Sequence, residues 1–225
     1  MKKTALILGA TGLTGSLVLE ALIQDDRYDK IKLFSRKTIH PTSPKVEEYL
    51  GDILNLDAFS EVFTGHEVYC CIGTTKKKTP NQAMYRNIDF GIPIRAARLA
   101  KDNNITTFSV VSALGANEKS PIFYNKTKGN MERDVLAQNL KKTFIFRPSL
   151  IGGERKERRV LEKIGIVIFK VFEPLFIGKL KQHKMIDAET IAQAMINVAN
   201  LNTHTSKIFS SDEIKKQVNK NRNKP

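Results

Sequence analysis

The stretch TALILGATGLTG, residues 4–15, decides the fold, because an apolar strand runs there directly into a glycine-rich turn. Its glycines are spaced G-x-x-G-x-x-G, and an amphipathic segment follows them. Such a turn lets backbone N–H groups approach a pyrophosphate, and the helix N-terminus adds the positive end of its dipole. The alternative is an ordinary strand–helix turn that uses glycine for positive φ. We predict that this turn binds a dinucleotide through Gly9, Thr11, Gly12, Leu13, Thr14 and Gly15.

Short apolar runs rich in β-branched or aromatic residues predict further strands at 31–35, 45–51, 67–73, 106–113 and 142–148. Amphipathic segments predict helices that begin at Leu13 and that cover 81–103, 124–139 and 191–199. In the helix at 81–103, Asn81 can act as N-cap, and Pro93 must bend or interrupt the helix. This alternation predicts an α/β protein, a Rossmann-type doubly wound parallel sheet with helices on both faces.

The chain is expected to form a single domain over residues 1–210. Within it, residues 152–186 form a small segment that covers the strand C-termini and the substrate. The basic tail, residues 211–225, lacks apolar periodicity and is expected to fray. The longest apolar stretch, 164–178, is shorter than the ~20 residues of a membrane span. It predicts a packing helix and pocket wall, with docking to a partner or to a membrane surface as the alternative.

The formal net charge of +14 is the most unusual bulk feature. Its lysines are scattered along the chain without the aromatic interleaving of nucleic-acid binders, so we expect a phosphate-bearing ligand and no nucleic acid.

The two cysteines, Cys70 and Cys71, are adjacent in an apolar run, which suits neither a structural disulfide nor a metal site. They predict buried strand residues in a reducing compartment, and hence a cytoplasmic protein.

The end of the second strand indicates which nucleotide is bound. The chain reads Ser35-Arg36-Lys37 where an NAD-binding protein usually places an acid for the ribose 2′-OH. A guanidinium offers planar, charge-assisted donors to a 2′-phosphate, so NADP(H) is preferred over NAD(H). A solvated Arg-Lys pair is the alternative.

Two later strand ends complete the predicted cofactor site. After the third strand, Asp52 can accept a hydrogen bond from the adenine amino group while Ile53 lies against the ring. Asp52 can equally cap the next helix, and both roles can coexist. The fourth strand closes with Gly73, Thr74 and Thr75, where a ligand would pass the backbone.

Proton transfer is suggested by Tyr124 and Lys128, which stand one helical turn apart. A tyrosine pKa of about 10 is too high for work at neutral pH unless a cation stabilises the phenolate. Lys128 is therefore expected to lower the pKa of Tyr124 and to reach the nicotinamide ribose. Ser112, at the end of the fifth strand, is placed to polarise a substrate carbonyl.

In this order, GATGLTG, Ser112 and the Tyr124-x-x-x-Lys128 pair resemble the short-chain dehydrogenase/reductase superfamily. More narrowly, the stretches 70–78, 108–133 and 146–153 resemble its atypical, NmrA-like group that contains the human Tat-interacting-protein oxidoreductase. The resemblance implies a Rossmann fold, NADP(H), and Ser112, Tyr124 and Lys128 as catalytic residues. It further implies Asn87 as a fourth member, and it places Arg147 and Pro148 beside the nicotinamide.

These features predict an NADP(H)-dependent oxidoreductase that acts on a small carbonyl or alcohol substrate through a Ser-Tyr-Lys proton relay. A redox-sensing regulator or scaffold that binds NADP(H) with little turnover is the alternative, because fold does not fix function. Sugar-nucleotide epimerases use a similar triad, but this chain is short for a dedicated sugar-nucleotide domain.

Overall fold

The computed structural model describes residues 2–152, 185–201 and 205–222, and these contain nine strands. The strands are β1 (Lys3–Leu8), β2 (Tyr28–Ser35), β3 (Val46–Leu50), β4 (Glu67–Cys70), β5 (Thr107–Val111), β6 (Lys142–Arg147), β7 (Ile151–Gly152), β8 (Ile186–Asp187) and β9 (Lys207–Ser210). Seven of them form one parallel sheet in the order β3-β2-β1-β4-β5-β6-β9, and β7 pairs with β8 separately.

Helices cover both faces of this sheet. They are α1 (Leu13–Gln24), α2 (Gln82–Arg86), α3 (Ile92–Asp102), α4 (Phe123–Leu136), α5 (Ala188–Ala199) and α6 (Ser211–Arg222), with a short 3₁₀ segment at Ile53–Phe59. A π turn, Asn87–Gly91, joins α2 to α3. One apolar cluster lies between the sheet and α1, α5 and α6, and a second lies between the sheet and the 3₁₀ segment, α3 and α4.

The alternation of side chains along β1 shows how the sheet is held. Ala5 and Ile7 belong to the first cluster, while Leu6 and Leu8 belong to the second, and all four are fully buried. Strands covered on both faces are expected to read as continuous apolar runs, as β1 does. The strand order reverses between β1 and β4, and open α/β sheets bind their ligands outside the carboxyl ends of the strands at that point.

The predicted α/β architecture and its six strands are confirmed, with bounds that differ by a few residues. Asn81 caps α2 as predicted, since its side chain accepts a hydrogen bond from Met84 N at 2.9 Å. The helix predicted over 81–103 is interrupted just before Pro93, as expected, because the π turn Asn87–Gly91 separates α2 from α3 and Pro93 falls in the first turn of α3. A missing N–H costs little at that position.

The predicted fraying of the tail is wrong for residues 211–222, which form α6. Ile214 is fully buried, and Val218, one helical turn on, packs against the same apolar cluster. The Asn197 amide on α5 also donates to Gln217 O at 3.0 Å. Two apolar residues are too few for a visible period, yet they suffice to dock one helix turn. β9 was also not predicted.

The proposed covering segment, residues 152–186, lies outside the described residues except at its two ends. Those ends, Gly152 and Ile186, belong to the β7–β8 pair. In the part of the chain that is described, none of the helices combines the length and the apolarity that a bilayer span requires.

Candidate functional site

The glycine-rich turn between β1 and α1 is packed against the end of β4. Gly9 has φ of +89°, and a Cβ there would lie 2.8 Å from the Cys71 carbonyl oxygen. A Cβ on Gly15 would lie 2.1 Å from the Gly9 carbonyl oxygen. These two glycines therefore let the turn, the helix and the neighbouring strand end come into direct contact.

The outer side of the same turn is open to solvent. Gly12 is the N-cap of α1 and supplies no side-chain cap, and no acidic residue stands in the first turn. Thr11 and Gly12 are exposed, Leu13 is half-buried, and Thr14 is buried beneath them. The first N–H groups of α1 thus face an uncovered space, which is the arrangement that binds a phosphate.

The end of β2 lies beside this turn, because β1 and β2 are neighbouring parallel strands with Leu8 opposite Phe34. Ser35 is buried, and its hydroxyl donates to Lys37 O at 2.8 Å, which fixes the local backbone. Arg36 and Lys37 are exposed. The structure therefore leaves both cations accessible at the edge where the glycine turn opens.

The residues predicted after β3 take part in local structure and core packing, whereas the glycine predicted after β4 does not. Asp52 caps the 3₁₀ segment by accepting from Leu54 N at 3.0 Å, and Ile53 packs on the core, so the adenine contact stays a prediction. Gly73 is exposed, and a Cβ added there would meet only Asp89 Oδ1, at 3.8 Å. No packing contact explains that glycine.

Lys128 lies buried on α4 and forms an ion pair with Asp89 of the π turn. The Nζ–Oδ1 distance is 2.9 Å, and the two residues are 4% and 1% exposed. The other carboxylate oxygen of Asp89 accepts from Thr74 N at 2.8 Å. This acid was not predicted, whereas Asn87, which the family resemblance suggested, is exposed on the same turn.

Tyr124 stands one turn before Lys128 on α4 and is 39% exposed. Burial raises the pKa of Tyr124, the Lys128 ammonium lowers it, and the Asp89 carboxylate raises it again. The resulting pKa is above the ordinary tyrosine value. Lys128 thus acts in the predicted direction, but the expected net lowering is wrong because burial and Asp89 outweigh it.

Ser112 is buried, and its hydroxyl donates to Glu132 on α4. The Arg147 guanidinium also binds this carboxylate, with Nε 2.8 Å from Oε1 and Nη2 bound to Oε2. This hydrogen bonding raises the pKa of Arg147. Arg147 is therefore turned towards Glu132, and Pro148 contributes a backbone carbonyl that accepts from Leu114 N at 2.8 Å.

Glu132 was not predicted, although a signal for it exists. Tyr124, Lys128 and Glu132 follow one another at intervals of four residues, which places all three on one face of α4. No comparable signal marks Asp89, because the π turn changes the helical period just where this residue enters the interior.

A cavity of about 450 Å³ opens beside Tyr124. Its wall includes Tyr85 and Phe123, whose rings meet edge-to-face at 5.6 Å, together with Ile122 and Pro80. Its remaining lining residues are all polar, namely Thr74, Thr75, Lys76, Thr79 and Gln82. The predicted Thr74 and Thr75 thus line this cavity and follow the glycine at the β4 tip in sequence.

The parallel sheet, its glycine cradle and the Tyr-Lys pair at the strand carboxyl ends define a dinucleotide-binding α/β protein of the oxidoreductase type. The family model described as NAD(P)H-binding matches residues 9–200, so the chain belongs to that family. The resemblance to the atypical short-chain dehydrogenase/reductase group is confirmed, and the cofactor class is a nicotinamide dinucleotide.

Curated relatives include fungal and mammalian proteins. A protein named FMP52-1, mitochondrial, from Scheffersomyces stipitis is 31% identical over 87% of this chain and 88% of its own length. Protein FMP52, mitochondrial, from Meyerozyma guilliermondii is 36% identical over 68% of this chain and 66% of its own. Protein HTATIP2 of Rattus norvegicus is 30% identical over 70% and 66%.

Solved structures share the fold at low sequence identity. A UDP-N-acetylglucosamine 4-epimerase from Methanobrevibacter ruminantium has a TM-score of 0.70 at 17% identity, covering 93% of this chain and 77% of its own. The enzyme WbmG of Bordetella bronchiseptica, solved with NAD, has a TM-score of 0.69 at 13% identity, covering 96% and 76%. These similarities show the fold.

The prediction of a cytoplasmic protein is wrong, because the fungal relatives are named as mitochondrial proteins. The prediction rested on Cys70 and Cys71, which are indeed free thiols. Burial raises the pKa of Cys70 to about 11 and also raises that of Cys71. Unreactive thiols do not distinguish one reducing compartment from another.

Proposed function

We propose that the protein is an NADP(H)-dependent oxidoreductase that reduces a small carbonyl compound or oxidises the corresponding alcohol. The observation that carries the proposal is the placement of Tyr124 on a cavity wall, with the Lys128 ammonium one helical turn behind it. Both stand at the strand edge where the glycine cradle opens. A protein that only bound the nucleotide would need the cradle but not this pair.

The cradle fits a dinucleotide. Thr11, Gly12 and the uncapped N-terminus of α1 offer donors to the pyrophosphate. Arg36 and Lys37 suit a ribose 2′-phosphate, and Asp52 together with Ile53 suits the adenine. When bound, the cofactor supplies a hydride at nicotinamide C4.

Tyr124 supplies the proton that reduction of the carbonyl requires. A bound cofactor would supply the hydride to the substrate carbon, and the substrate oxygen would take the proton of the Tyr124 hydroxyl, which leaves a phenolate. Lys128 stabilises the phenolate that this leaves, and it reaches the nicotinamide ribose. The site then holds two negative charges, on the phenolate and on the Asp89 carboxylate, and one positive charge on Lys128, until Tyr124 takes a proton back from solvent.

Ser112 holds the substrate oxygen by turning its hydroxyl proton away from Glu132. After this change Arg147 still binds both oxygens of the Glu132 carboxylate. Arg147 and Glu132 therefore hold Ser112 in place between turnovers, with the guanidinium of Arg147 engaged by Glu132. Its neighbour Pro148 lines the nicotinamide side with backbone only.

The test is turnover of NADPH with a panel of quinones, aldehydes and ketones. Tyr124→Phe is expected to lower turnover by about 10²- to 10⁴-fold while NADPH binding persists, and Tyr49→Phe, which removes a hydroxyl bonded to Glu47 on β3, is the control. Unchanged turnover in Tyr124→Phe would contradict the proton role.

A redox-sensing regulator is the second candidate. In its favour, two buried carboxylates already hold the catalytic groups, with Glu132 accepting from Ser112 and Asp89 paired with Lys128. Tight NADPH binding with no turnover across the whole panel would select this candidate. A partner captured only in the presence of NADPH would support it further.

A further inference from the structure

Asp89 connects three elements at the tip of β4. Its carboxylate accepts from Thr74 N after β4, pairs with Lys128 of α4, and itself belongs to the π turn. The Lys128 ammonium also lies 3.5 Å from Val111 O at the end of β5. The acid is thus placed between the two strand ends that border the proposed nicotinamide site.

The π turn is what brings Asp89 to this position. The five residues Asn87–Gly91 interrupt an otherwise α-helical run, so Asn87 stays exposed while Asp89 is buried. Single π turns within helices occur frequently at functional sites, because they re-aim a side chain at the cost of regular hydrogen bonding.

Ionisable side chains lie around Asp89 on each element packed against it. Cys70 lies on β4, Tyr85 on α2, and Tyr124 and Lys128 on α4. Burial works to lower the pKa of Lys128, but Asp89 together with Tyr124 and Cys70 raises it, and the resulting pKa lies above the ordinary value. Asp89 also raises the pKa of Tyr124. Without Asp89, Lys128 would be a buried ammonium without its carboxylate partner.

We propose that Asp89 is a positioning residue that holds the Lys128 ammonium at the β4 tip and thereby sets the upper pH limit of catalysis. The inference rests on the proposed function, since it assigns a role within that same site. Asp89 acts through Lys128 and Tyr124 and does not itself exchange a proton with the substrate.

The expected direction follows from the two titrating groups. In carbonyl reduction Tyr124 must carry its proton and Lys128 its charge, so turnover falls as pH rises through the lower of their two pKa values. Asp89 raises both pKa values, so its removal lowers both. The alkaline limb therefore moves to lower pH whichever group titrates first.

The experiment compares Asp89→Asn with the unmodified protein in pH profiles of NADPH turnover. We expect the alkaline limb to shift down by about 1 pH unit or more, the size of a lost charge partner. Asp57→Asn is the matched control, because Asp57 forms an exposed ion pair with Arg98 and its loss should leave the profile unchanged. An unshifted limb in Asp89→Asn would overturn the proposal.

If Asp89→Asn does not fold, the pH profile of Asp89→Glu is measured instead. Because this variant retains the carboxylate, we expect its alkaline limb at the pH of the unmodified protein, with a lower kcat. A shifted limb in Asp89→Glu would overturn the proposal. If no substrate is found, ¹³C-lysine NMR follows Lys128 directly, with Lys128→Met assigning its signal. A Lys128 that titrates identically in Asp89→Asn would overturn the role of Asp89, whereas absent turnover alone speaks only against the proposed enzyme.

Discussion

Each end of the central sheet contains a buried acidic side chain, and the two are built differently. At the amino end, Glu67 begins β4 and is 2% exposed. It accepts from Tyr28 at 2.6 Å, from Tyr69 at 2.7 Å and from Lys3 at 2.6 Å. At the carboxyl end, Asp89 is bonded by Thr74 N and Lys128. We call Glu67, Lys3, Tyr28 and Tyr69 the amino-end cluster, and we call Asp89, Lys128 and Tyr124 the carboxyl-end cluster.

The amino-end cluster is closed on itself. The Asn200 side chain links Lys3 and Tyr28, at 2.7 Å from each, so α5 is tied to β1 and β2. Burial raises the pKa values of Tyr28 and Tyr69 well above normal, so both hydroxyls keep their protons and act as donors to Glu67. These groups therefore bond to one another, with both phenols fully buried and Lys3 partly exposed.

The carboxyl-end cluster instead includes a phenol that reaches solvent. Tyr124 lines the cavity and is 39% exposed, while Lys128 and Asp89 behind it are buried. Both clusters combine acid, ammonium and phenol, so composition does not separate them. What separates them is that one phenol at the carboxyl end can meet a ligand, which predicts stability effects at one end and activity effects at the other.

The largest expected effect separates two tyrosines: Tyr124→Phe should change turnover, and Tyr69→Phe should change stability. Tyr124→Phe should lower turnover by about 10²- to 10⁴-fold, the usual size of a lost acid–base catalyst, with little change in stability. Tyr69→Phe removes a donor to Glu67 and should cost about 1–2 kcal/mol of stability without changing turnover. Turnover assays and urea unfolding on both variants measure the contrast, and a loss of turnover in Tyr69→Phe would break it.

Removing the central acid of the amino-end cluster gives the next effect. Glu67→Gln should destabilise the protein by about 2 kcal/mol, because Lys3 loses its carboxylate and two tyrosines lose a charged acceptor. Urea unfolding measures this change. The Kd for NADPH of the folded protein should be unchanged, and weaker NADPH binding would show that the two clusters are coupled.

Two arginines at opposite ends of β2 test the cofactor edge. Arg36→Ala, at the carboxyl end, should weaken NADPH binding by about 10- to 100-fold, the size of lost charge-assisted hydrogen bonds, and should change NADH binding little. Arg27→Ala, at the amino end, removes an exposed ion pair with Asp25 and serves as the control. Calorimetric Kd values decide, and equal weakening of NADPH and NADH by Arg36→Ala would refute a 2′-phosphate contact.

Two glycines that flank β4 give a contrast in which one change, Gly73→Ala, is expected to have the smallest effect on stability. A Cβ on Gly65 would lie 2.4 Å from Leu6 Cδ1 and 3.0 Å from Thr4 O, so Gly65→Ala should destabilise by about 1–3 kcal/mol. Gly73→Ala meets no close atom and should leave stability within about 0.5 kcal/mol. Weaker NADPH binding by Gly73→Ala alone would indicate that the cofactor passes this backbone.

Much of the candidate site could be predicted from spacing along the chain. Tyr124 and Lys128 share a helix face because they are four residues apart, and Ser112 lies at a strand end because the apolar run stops there. Asp89 and the bond from Ser112 to Glu132 could not be predicted in this way. The first depends on a π turn, and the second on how α4 packs against β5 and β6.

The sequence by itself determined the class of the protein, the positions of its first six strands along the chain, the glycine-rich turn and the Tyr-Lys spacing. These follow from local periodicity and from glycine at one turn, which act over a few residues. Only the tertiary structure decided that Asp89 pairs with Lys128, that Arg147 turns to Glu132, and that the tail docks as α6. Those choices depend on which distant side chains can satisfy one another's charge or apolar surface once the sheet has formed.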